Sequence, residues 1–228
     1  MTKTIEDLFV YLRLSTDVVI ILLFLYLIRR SKLSRAFPLI LIYCCIDLIF
    51  NIVVERFPFS QRFTEVAYTA YTLIEYFIFT AFIFINLRNR IVKKLMIWLS
   101  VAFTVFMVSY TLTTENQNID SIPIGVETIL ILLYAFYFFY EEMNNLEQLF
   151  IYSKPEFWII TGFMIYLAGS FFIYVFANQV DYSILLKYWF LTNVFFIMQT
   201  LLFAIGLIMF LRQNKRNQGP KQFHPYLN

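Results

Sequence analysis

The chain has 228 residues, of which 61% are hydrophobic, 21% aromatic and only 14% charged. Soluble domains carry about 25% charged residues, so this composition excludes a soluble globular protein. With 5 Gly, 6 Pro and 2 Cys against 28 Phe and 16 Tyr, it also excludes a disordered, collagen-like or disulfide-stabilised chain. The formal net charge is +3. The sequence therefore predicts a polytopic membrane protein.

The sequence offers few residues for disulfide, metal or hydrolytic chemistry. Cys44 and Cys45 are adjacent in an apolar segment, and neighbouring side chains of a helix point about 100° apart, so we predict no structural disulfide. The single histidine, His224, lies in the polar tail, which excludes a Ser-His-Asp triad or a histidine-containing metal site within the membrane. We predict no metal, no cofactor and no nucleic acid partner.

Seven apolar segments are each long enough to cross about 30 Å of hydrocarbon, which takes about 20 helical residues. In chain order they cover residues 8–28, 37–54, 66–87, 91–112, 123–140, 157–177 and 184–211. The connections are short, so no soluble domain is inserted. The sequence therefore predicts an all-α fold, a polytopic seven-transmembrane-helix bundle over residues 1–211. The basic tail, residues 212–228, is expected to be disordered.

Basic residues are unevenly distributed between the two sides of this bundle. If the N-terminus is outside, the inner side holds 13 of the 18: Arg29, Arg30, Lys32, Arg35, Arg88, Arg90, Lys93, Lys94, Lys154, Arg212, Lys215, Arg216 and Lys221. The other five are Lys3, Arg13, Arg56, Arg62 and Lys187. The positive-inside rule therefore predicts a plasma (inner) membrane protein, in contact with membrane lipid, with its N-terminus outside and its C-terminus cytoplasmic.

The longest inner connection, residues 141–156, departs from this basic pattern. It contains three acids and one base, Glu141, Glu142, Glu147 and Lys154. One interpretation is that span 5 continues as a helix beyond the bilayer and that Pro155 begins span 6. The other is a docking surface for a basic cytoplasmic protein partner.

Two pairs of spans can be aligned without gaps. Residues 17–28 match residues 127–138, with an acid leading both and Ile-Leu-Leu coinciding, and residues 75–88 match residues 199–212, which share a Leu-Arg end. Both pairs have one orientation, which predicts a parallel repeat of three helices joined by span 4, a 3+1+3 arrangement. Seven unrelated helices are the alternative, because spans 2 and 6 match poorly. In layout only, the arrangement resembles sugar transporters with Pro-Gln loops, although the Pro-Gln pair is absent from both halves.

Four acids lie within the predicted spans. Asp17, Asp47 and Glu75 are near the middle of their spans, and Glu127 is in the outer third of span 5. An acid near the bilayer centre costs about 2.5 to 3.5 kcal/mol on insertion scales, so each is a candidate functional residue. Arg13 is the base at comparable depth, and its i, i+4 spacing from Asp17 predicts a structural ion pair on span 1.

Spans 2 and 3 each carry a polar stripe. Tyr43, Asp47 and Asn51 follow one another at four-residue intervals, which places them on one face of a helix that should face protein or water. On span 3, Tyr71 precedes Glu75 by one turn and can supply a hydroxyl donor. We expect Glu75 to face the span 2 stripe and to share about one proton with Asp47 near neutral pH.

The remaining polar residues belong to spans 5 and 7. Glu127 and Tyr134 are seven residues apart on one face of span 5, and Gln199 lies in span 7. A purely structural hydrogen-bond cluster would explain why amide side chains lie in the spans. It explains the acids less well, because an amide would hold the helices together without the free-energy cost of inserting an acid. The predicted ligand- or proton-binding residues are Asp47, Glu75, Glu127, Tyr43, Asn51, Tyr71, Tyr134 and Gln199.

Three classes of function are compatible with this sequence. The first is a sensory or signalling membrane protein that responds to a small ligand or to protons. The second is a small proton- or cation-coupled transporter, with acids and tyrosines lining a cavity for a cationic or aromatic solute. The third is an enzyme, for which no nucleophile or metal constellation is present. The four acids lie from the midplane outward, which favours the first class; the oligomeric state stays open.

Overall fold

A computed structural model describes residues 3–30, 35–54, 57, 60–113, 121–144, 150–176 and 182–218. Within these residues the chain is all-helical. The seven α-helices are α1 (Lys3–Arg30), α2 (Phe37–Val54), α3 (Gln61–Asn86), α4 (Arg90–Thr113), α5 (Ser121–Met143), α6 (Pro155–Phe176) and α7 (Tyr182–Gln218). A short 3-10 helix, Ile151–Ser153, directly precedes α6.

All seven described helices are long and apolar enough to cross a membrane. The prediction of an all-α, multi-pass membrane protein with seven helices is confirmed. The helix ends differ most from the prediction in three places: α1 already begins at Lys3, α3 begins at Gln61, and α7 continues to Gln218. The first seven residues of the tail that we expected to be disordered, 212–218, are therefore helical, and residues 219–228 lie outside the described residues.

The helices expose apolar side chains over their outer surface. On α4 the exposed residues recur every three or four positions, at Ile91, Leu95, Trp98, Val101, Val105, Val108 and Leu112. The opposite face of α4 buries Met96, Phe103 and Met107 against the bundle. An apolar surface of this extent is unfavourable in water but suits contact with lipid.

Six of the helices form a ring in the order α1, α2, α3, α5, α6, α7, and α7 closes the ring against α1. Helix α4 lies outside this ring against α3 and α5. The most extensive helix pair is α6 with α7, where glycine permits close approach. A Cβ atom at Gly206 would lie 2.9 Å from the carbonyl oxygen of Pro155, and one at Gly162 would lie 3.2 Å from that of Gln199.

The two ends of the bundle are distinguished by the helix ends they contain. We call the end with the first residues of α1, α3, α5 and α7 the N-face, and the opposite end the C-face. At the N-face, the rings of Phe9 and Phe190 contact each other with their centroids 5.6 Å apart. At the C-face, Lys154 before α6 forms an ion pair with Glu142 near the end of α5.

A layer of aromatic rings fills the C-face half of the bundle. It comprises Phe37, Phe79, Phe82, Phe163 and Phe203, all fully buried, and we call it the aromatic layer. The rings of Phe79 and Phe163 stack with their centroids 3.9 Å apart. Phe82 and Phe203 pack edge-on against Phe163, at 5.6 and 5.5 Å. These contacts join α2, α3, α6 and α7 through interlocked apolar side chains.

Candidate functional site

An ion pair between α1 and α2 lies in the N-face half of the bundle. Arg13 Nη2 is 2.9 Å from Asp47 Oδ1. Arg13 Nη1 also donates to Asn193 Oδ1 on α7 at 3.4 Å, and the guanidinium carbon lies 4.2 Å from the centroid of the Phe196 ring. One largely buried guanidinium therefore joins three helices.

Asp47 is held by two further donors. The hydroxyl group of Tyr71 donates to Oδ1 at 2.5 Å, and Asn51 Nδ2 donates to Oδ2 at 2.9 Å. The Asp47 side chain is fully buried. A guanidinium, a phenol and an amide thus stabilise a carboxylate that would otherwise be unfavourable inside the bundle.

The structure differs from the predicted ion pair between Arg13 and Asp17. The guanidinium extends across to Asp47 on α2, where Asn193 and Phe196 also contact it. Local spacing on α1 allowed the expected pair, but the interhelical position offers more partners for the five N–H donors of arginine. Asp17 is fully buried, and neither of its carboxyl oxygens has a hydrogen-bond partner among the described residues.

Asp17 nevertheless belongs to the same cluster. Its carboxyl group lies close enough to interact electrostatically with both Asp47 and Arg13. Cys44, one turn from Asp47 on α2, interacts electrostatically with Asp17 and Asp47 and is fully buried. Arg13 is therefore paired with Asp47 and also interacts electrostatically with the carboxyl groups of Asp17 and Glu75.

Glu75 faces into the bundle, where the hydroxyl group of Tyr43 donates to its Oε1 atom at 3.0 Å. Glu127 on α5 is almost completely buried, interacts electrostatically with Glu75, and has no hydrogen-bond partner for Oε1 within the described chain. No hydrogen bond joins Asp47 to Glu75 in the described part of the structure. The two acids interact electrostatically, and the proton that we expected them to share stays a prediction.

Two of the predicted site residues have different surroundings from those expected. The hydroxyl oxygen of Tyr134 lies 3.3 Å from that of Tyr76, which in turn lies 2.9 Å from Ser100 Oγ. These contacts fasten α4 to α3 and α5, so Tyr134 is bonded to hydroxyl groups rather than to an acid. Gln199 is fully buried, and neither polar atom of its side chain has a partner among the described residues.

The sequence signal for the α7 contacts of Arg13 is weak. Asn193 and Phe196 are three residues apart and so share one face of the helix. In the sequence, Asn193 has the pattern of a structural amide. Phe196 is one of 28 phenylalanines, most of which suit contact with lipid or packing. Their contact with Arg13 depends on α7 returning beside α1, which local spacing does not encode.

A second group of charges lies at the C-face. The buried Glu142 carboxylate forms an ion pair with Lys154 and lies 3.9 Å from Arg88 Nη2. The Glu141 carboxylate accepts hydrogen bonds from the backbone N–H groups of Arg88 and Asn89, both at 2.7 Å. These contacts anchor the end of α5 to the junction between α3 and α4.

These contacts bear on the acidic connection, residues 141–156. Helix α5 continues to Met143 and α6 begins at Pro155, as the first interpretation of this segment predicted. Glu141 and Glu142 serve contacts within the bundle, and Glu147 lies outside the described residues. The cytoplasmic partner predicted for this segment stays a proposal.

A cavity of about 330 Å³ opens at the C-face. Its lining includes Asn86, Arg88, Glu142, Lys154, Glu156 and Gln213. Along α3, the order Glu75, Phe79, Phe82, Asn86 passes from the acids through the aromatic layer to this cavity. The polar cluster and the cavity are therefore on opposite sides of the aromatic layer.

The fold and the site define an all-helical, multi-pass membrane protein in which Arg13 lies among the buried acids Asp17, Asp47 and Glu75. Within the described part of the chain, no group of three or more His, Cys, Asp or Glu side chains is placed to hold a metal ion. No protein-family model, curated protein or solved structure matches the chain.

Proposed function

We propose that this protein is a membrane sensor. Its cluster of buried charged residues in the N-face half, which we call the N-face cluster, responds to protons or to a small cationic ligand. The observation that carries the proposal is an imbalance of buried charge. Asp17, Asp47, Glu75 and Glu127 are buried, and Arg13 is paired with one of them. A buried carboxylate without a counter-charge is strongly unfavourable, so the other acids need a proton or a cationic ligand.

The aromatic layer supports a sensor rather than a carrier. A carrier must open its binding site to each side of the membrane in turn. The stacked pair of Phe79 and Phe163, with Phe82 packed edge-on, lies between the cluster and the C-face. A cluster with these rings on that side suits a site that is read from the N-face.

Helix α7 provides a connection from the cluster to the C-face. It carries Asn193 and Phe196 beside Arg13. Gln213, 20 residues after Asn193, donates from Nε2 to the backbone oxygen of Ser153 at 2.7 Å. A change in the contacts of Arg13 would therefore act on an element that reaches the opposite end. With the predicted topology, this end faces the cytoplasm, where a protein partner at residues 141–156 would receive the signal.

A proton- or cation-coupled transporter is the second candidate, and two observations favour it. The C-face cavity gives the bundle a polar opening on the far side of the aromatic layer. The ring order also fits the proposed 3+1+3 repeat, because α1, α2 and α3 follow one another around the ring as α5, α6 and α7 do. In such a transporter the aromatic layer would part during each cycle.

Purified protein in vesicles distinguishes these candidates. An imposed pH gradient, followed with an entrapped pH-sensitive dye, should persist in the presence of a sensor and should dissipate through a proton carrier. For a sensor, the protection of α1 and α7 against hydrogen exchange, corrected for the intrinsic effect of pH on exchange rates, should change between acidic and alkaline pH, and D47N should abolish that change. The matched control is S15A, because Ser15 is exposed on α1 and bonds only to its own helix backbone.

If the vesicles show a proton flux that E75Q abolishes, the protein is a carrier and the sensor proposal is contradicted. If neither proton flux nor pH-dependent exchange is observed, both candidates are contradicted.

A further inference from the structure

Arg13 is positioned to pair with either of two acids. Asp47 is its partner on α2, at 2.9 Å, while Asp17 lies one helical turn from Arg13 on α1. Both acids are fully buried. The carboxyl oxygens of Asp17 lack a hydrogen-bond partner among the described residues, although Asp17 interacts electrostatically with both Arg13 and Asp47.

The titratable groups around this trio come from four helices. They are Arg13 and Asp17 of α1, Tyr43, Cys44 and Asp47 of α2, Tyr71 and Glu75 of α3, and Tyr166 and Tyr174 of α6. Helix α7 contributes the amide of Asn193 and the ring of Phe196. Thiol and phenol groups are ordinarily neutral near pH 7, so Arg13 is the cation in this set. One carboxylate of the trio can therefore be ionised with a partner.

We propose that Asp17 is the proton-binding residue of the cluster and that Arg13 transfers its ion pair from Asp47 to Asp17 when the proton passes to Asp47. In the arrangement seen here, Asp17 is the neutral acid and Asp47 the carboxylate. The O–H bond at Asp17 breaks, an O–H bond forms at Asp47, and the negative charge moves to Asp17. The net charge of the three groups stays zero.

The geometry makes both arrangements accessible. Residues at i and i+4 lie on the same helix face, so Arg13 reaches Asp17 by side-chain rotation alone. Each arrangement contains one ion pair and one neutral acid, and neither leaves a buried charge unpaired. The exchange would remove the ionic contact of α1 with α2 and shift the guanidinium away from Asn193 on α7. Because both arrangements hold one proton, the exchange itself does not depend on pH; a cationic ligand, or a proton gained or lost at one of the two acids, would favour one arrangement, as the proposed sensor requires.

This inference rests on the proposed function and identifies where its proton resides. The test is the infrared C=O stretching band of protonated carboxyl groups in the full chain, reconstituted in lipid near neutral pH. D17N should remove one such band directly. D47N should remove the same band, because Arg13 then pairs with Asp17 and its proton is released to solvent. The double variant D17N/D47N should lose nothing further.

The result for D47N is decisive because the substituted residue is ionised and does not itself give the band. If the band persists in D47N, or survives in D17N, the exchange is contradicted. E127Q is the matched control: it removes a buried carboxyl group on α5 and should leave the Asp17 band unchanged. A wild-type protein with no protonated carboxyl band would instead contradict the proposed function itself.

Thermal unfolding gives a second readout that does not depend on spectral assignment. The exchange predicts that D17N/D47N melts at a lower temperature than D47N, because Arg13 then has neither acid. Without exchange, removing the unpaired Asp17 from D47N should leave the melting temperature equal or higher. Asn at position 47 keeps the volume of the side chain, so D47N should still fold if Asp17 takes over as the partner of Arg13. If folded protein is obtained for D17N but not for D47N, Asp17 does not replace Asp47, and the proposal is overturned.

Discussion

Arg13 carries the charge balance of the N-face cluster. Its guanidinium contacts a carboxylate on α2, an amide on α7 and the face of an aromatic ring. Arginine suits this position because its planar group stays charged and offers several donors in fixed directions, whereas lysine offers a single ammonium. The contacts made by Arg13 therefore hold together helices that lie far apart in the sequence.

Replacing Arg13 by glutamine should destabilise the protein. R13Q leaves the Asp47 carboxylate buried without its counter-charge, and breaking a buried ion pair in this way costs about 3 to 5 kcal/mol. Denaturant unfolding of the purified protein measures this loss. R13Q/D47N should recover much of it, and R62Q, at an exposed position on α3, should have no effect. Unchanged stability in R13Q would contradict the role of the ion pair.

The Tyr43 hydroxyl group should stabilise the fold through Glu75. Y43F removes the donor at 3.0 Å from Glu75 Oε1 and leaves a buried acceptor unsatisfied, which costs about 1 to 3 kcal/mol. The same unfolding measurement applies. Y11F is the matched control, because Tyr11 lies exposed on the surface of α1. Equal stability of the two variants would show that the hydrogen bond contributes nothing.

At the scale of single residues, the sequence predicted the polar face of α2 but not the partner of Arg13. The four-residue spacing of Tyr43, Asp47 and Asn51 determines a common face whatever surrounds the helix. The choice between Asp17 and Asp47 depends on how α1 and α2 are rotated against each other. That rotation follows from the packing of the whole bundle, which local spacing does not contain.

Among the helix pairs, α6 and α7 depend most clearly on small residues. G206A should lower stability by about 1 to 3 kcal/mol, since overpacking outweighs the gain in helix propensity. The added Cβ atom would lie 2.9 Å from the carbonyl oxygen of Pro155, and a backbone atom at the start of α6 cannot move aside without shifting the helix. Thermal unfolding measures the effect.

The matched control for this variant is G125A. Its Cβ atom would lie 3.3 Å from Val175 Cγ2, a side-chain atom that can shift slightly. G125A should therefore be neutral or stabilising. If G206A is as stable as G125A, the close approach of α6 and α7 is not a constraint.

The end of α5 should hold the junction between α3 and α4 in place. E141A removes the acceptor of two backbone N–H groups, at Arg88 and Asn89, and should speed hydrogen exchange at residues 88 and 89 by tenfold or more, about 1.4 kcal/mol. E141Q keeps one acceptor oxygen and should give an intermediate rate. Unchanged exchange in E141A would show that water satisfies these groups equally well.

At the scale of elements, helix positions were predictable and helix neighbours were not. Apolar segments of sufficient length identify a membrane helix from composition alone, and α2 was predicted with its observed ends, Phe37–Val54. The ring order, with α4 outside, depends on which faces fit together. Exposed apolar residues suit lipid and packing equally, so the hydropathy pattern does not distinguish the two.

The topology of the whole molecule is testable by labelling. The distribution of 13 basic residues against five predicts that the N-face is outside and the C-face cytoplasmic. Cysteines introduced at Asn116 and Gln218 should react with an impermeant reagent from outside and from inside, respectively. The parent chain, with only Cys44 and Cys45, provides the background. Reaction of both positions from one side would contradict seven crossings.

For the whole molecule, the class of protein followed from composition, whereas the choice of function depends on packing. The sequence placed Asp17, Asp47, Glu75 and Glu127 in membrane helices, and all four are buried. The aromatic layer brings together phenylalanines of four helices, and 28 phenylalanines along the chain give no sign of which ones will meet. The position of these rings between the cluster and the C-face was therefore not predictable.

We propose that buried acids in the N-face half hold a proton and respond to pH. Infrared spectra of the lipid-reconstituted protein, titrated from about pH 5 to about pH 9, should detect that proton. We expect a protonated carboxyl band that weakens as pH rises and that R13Q strengthens, because the buried Asp47 side chain then lacks its counter-charge. A band that is absent at every pH, or that stays constant and unchanged in R13Q, would contradict the claim.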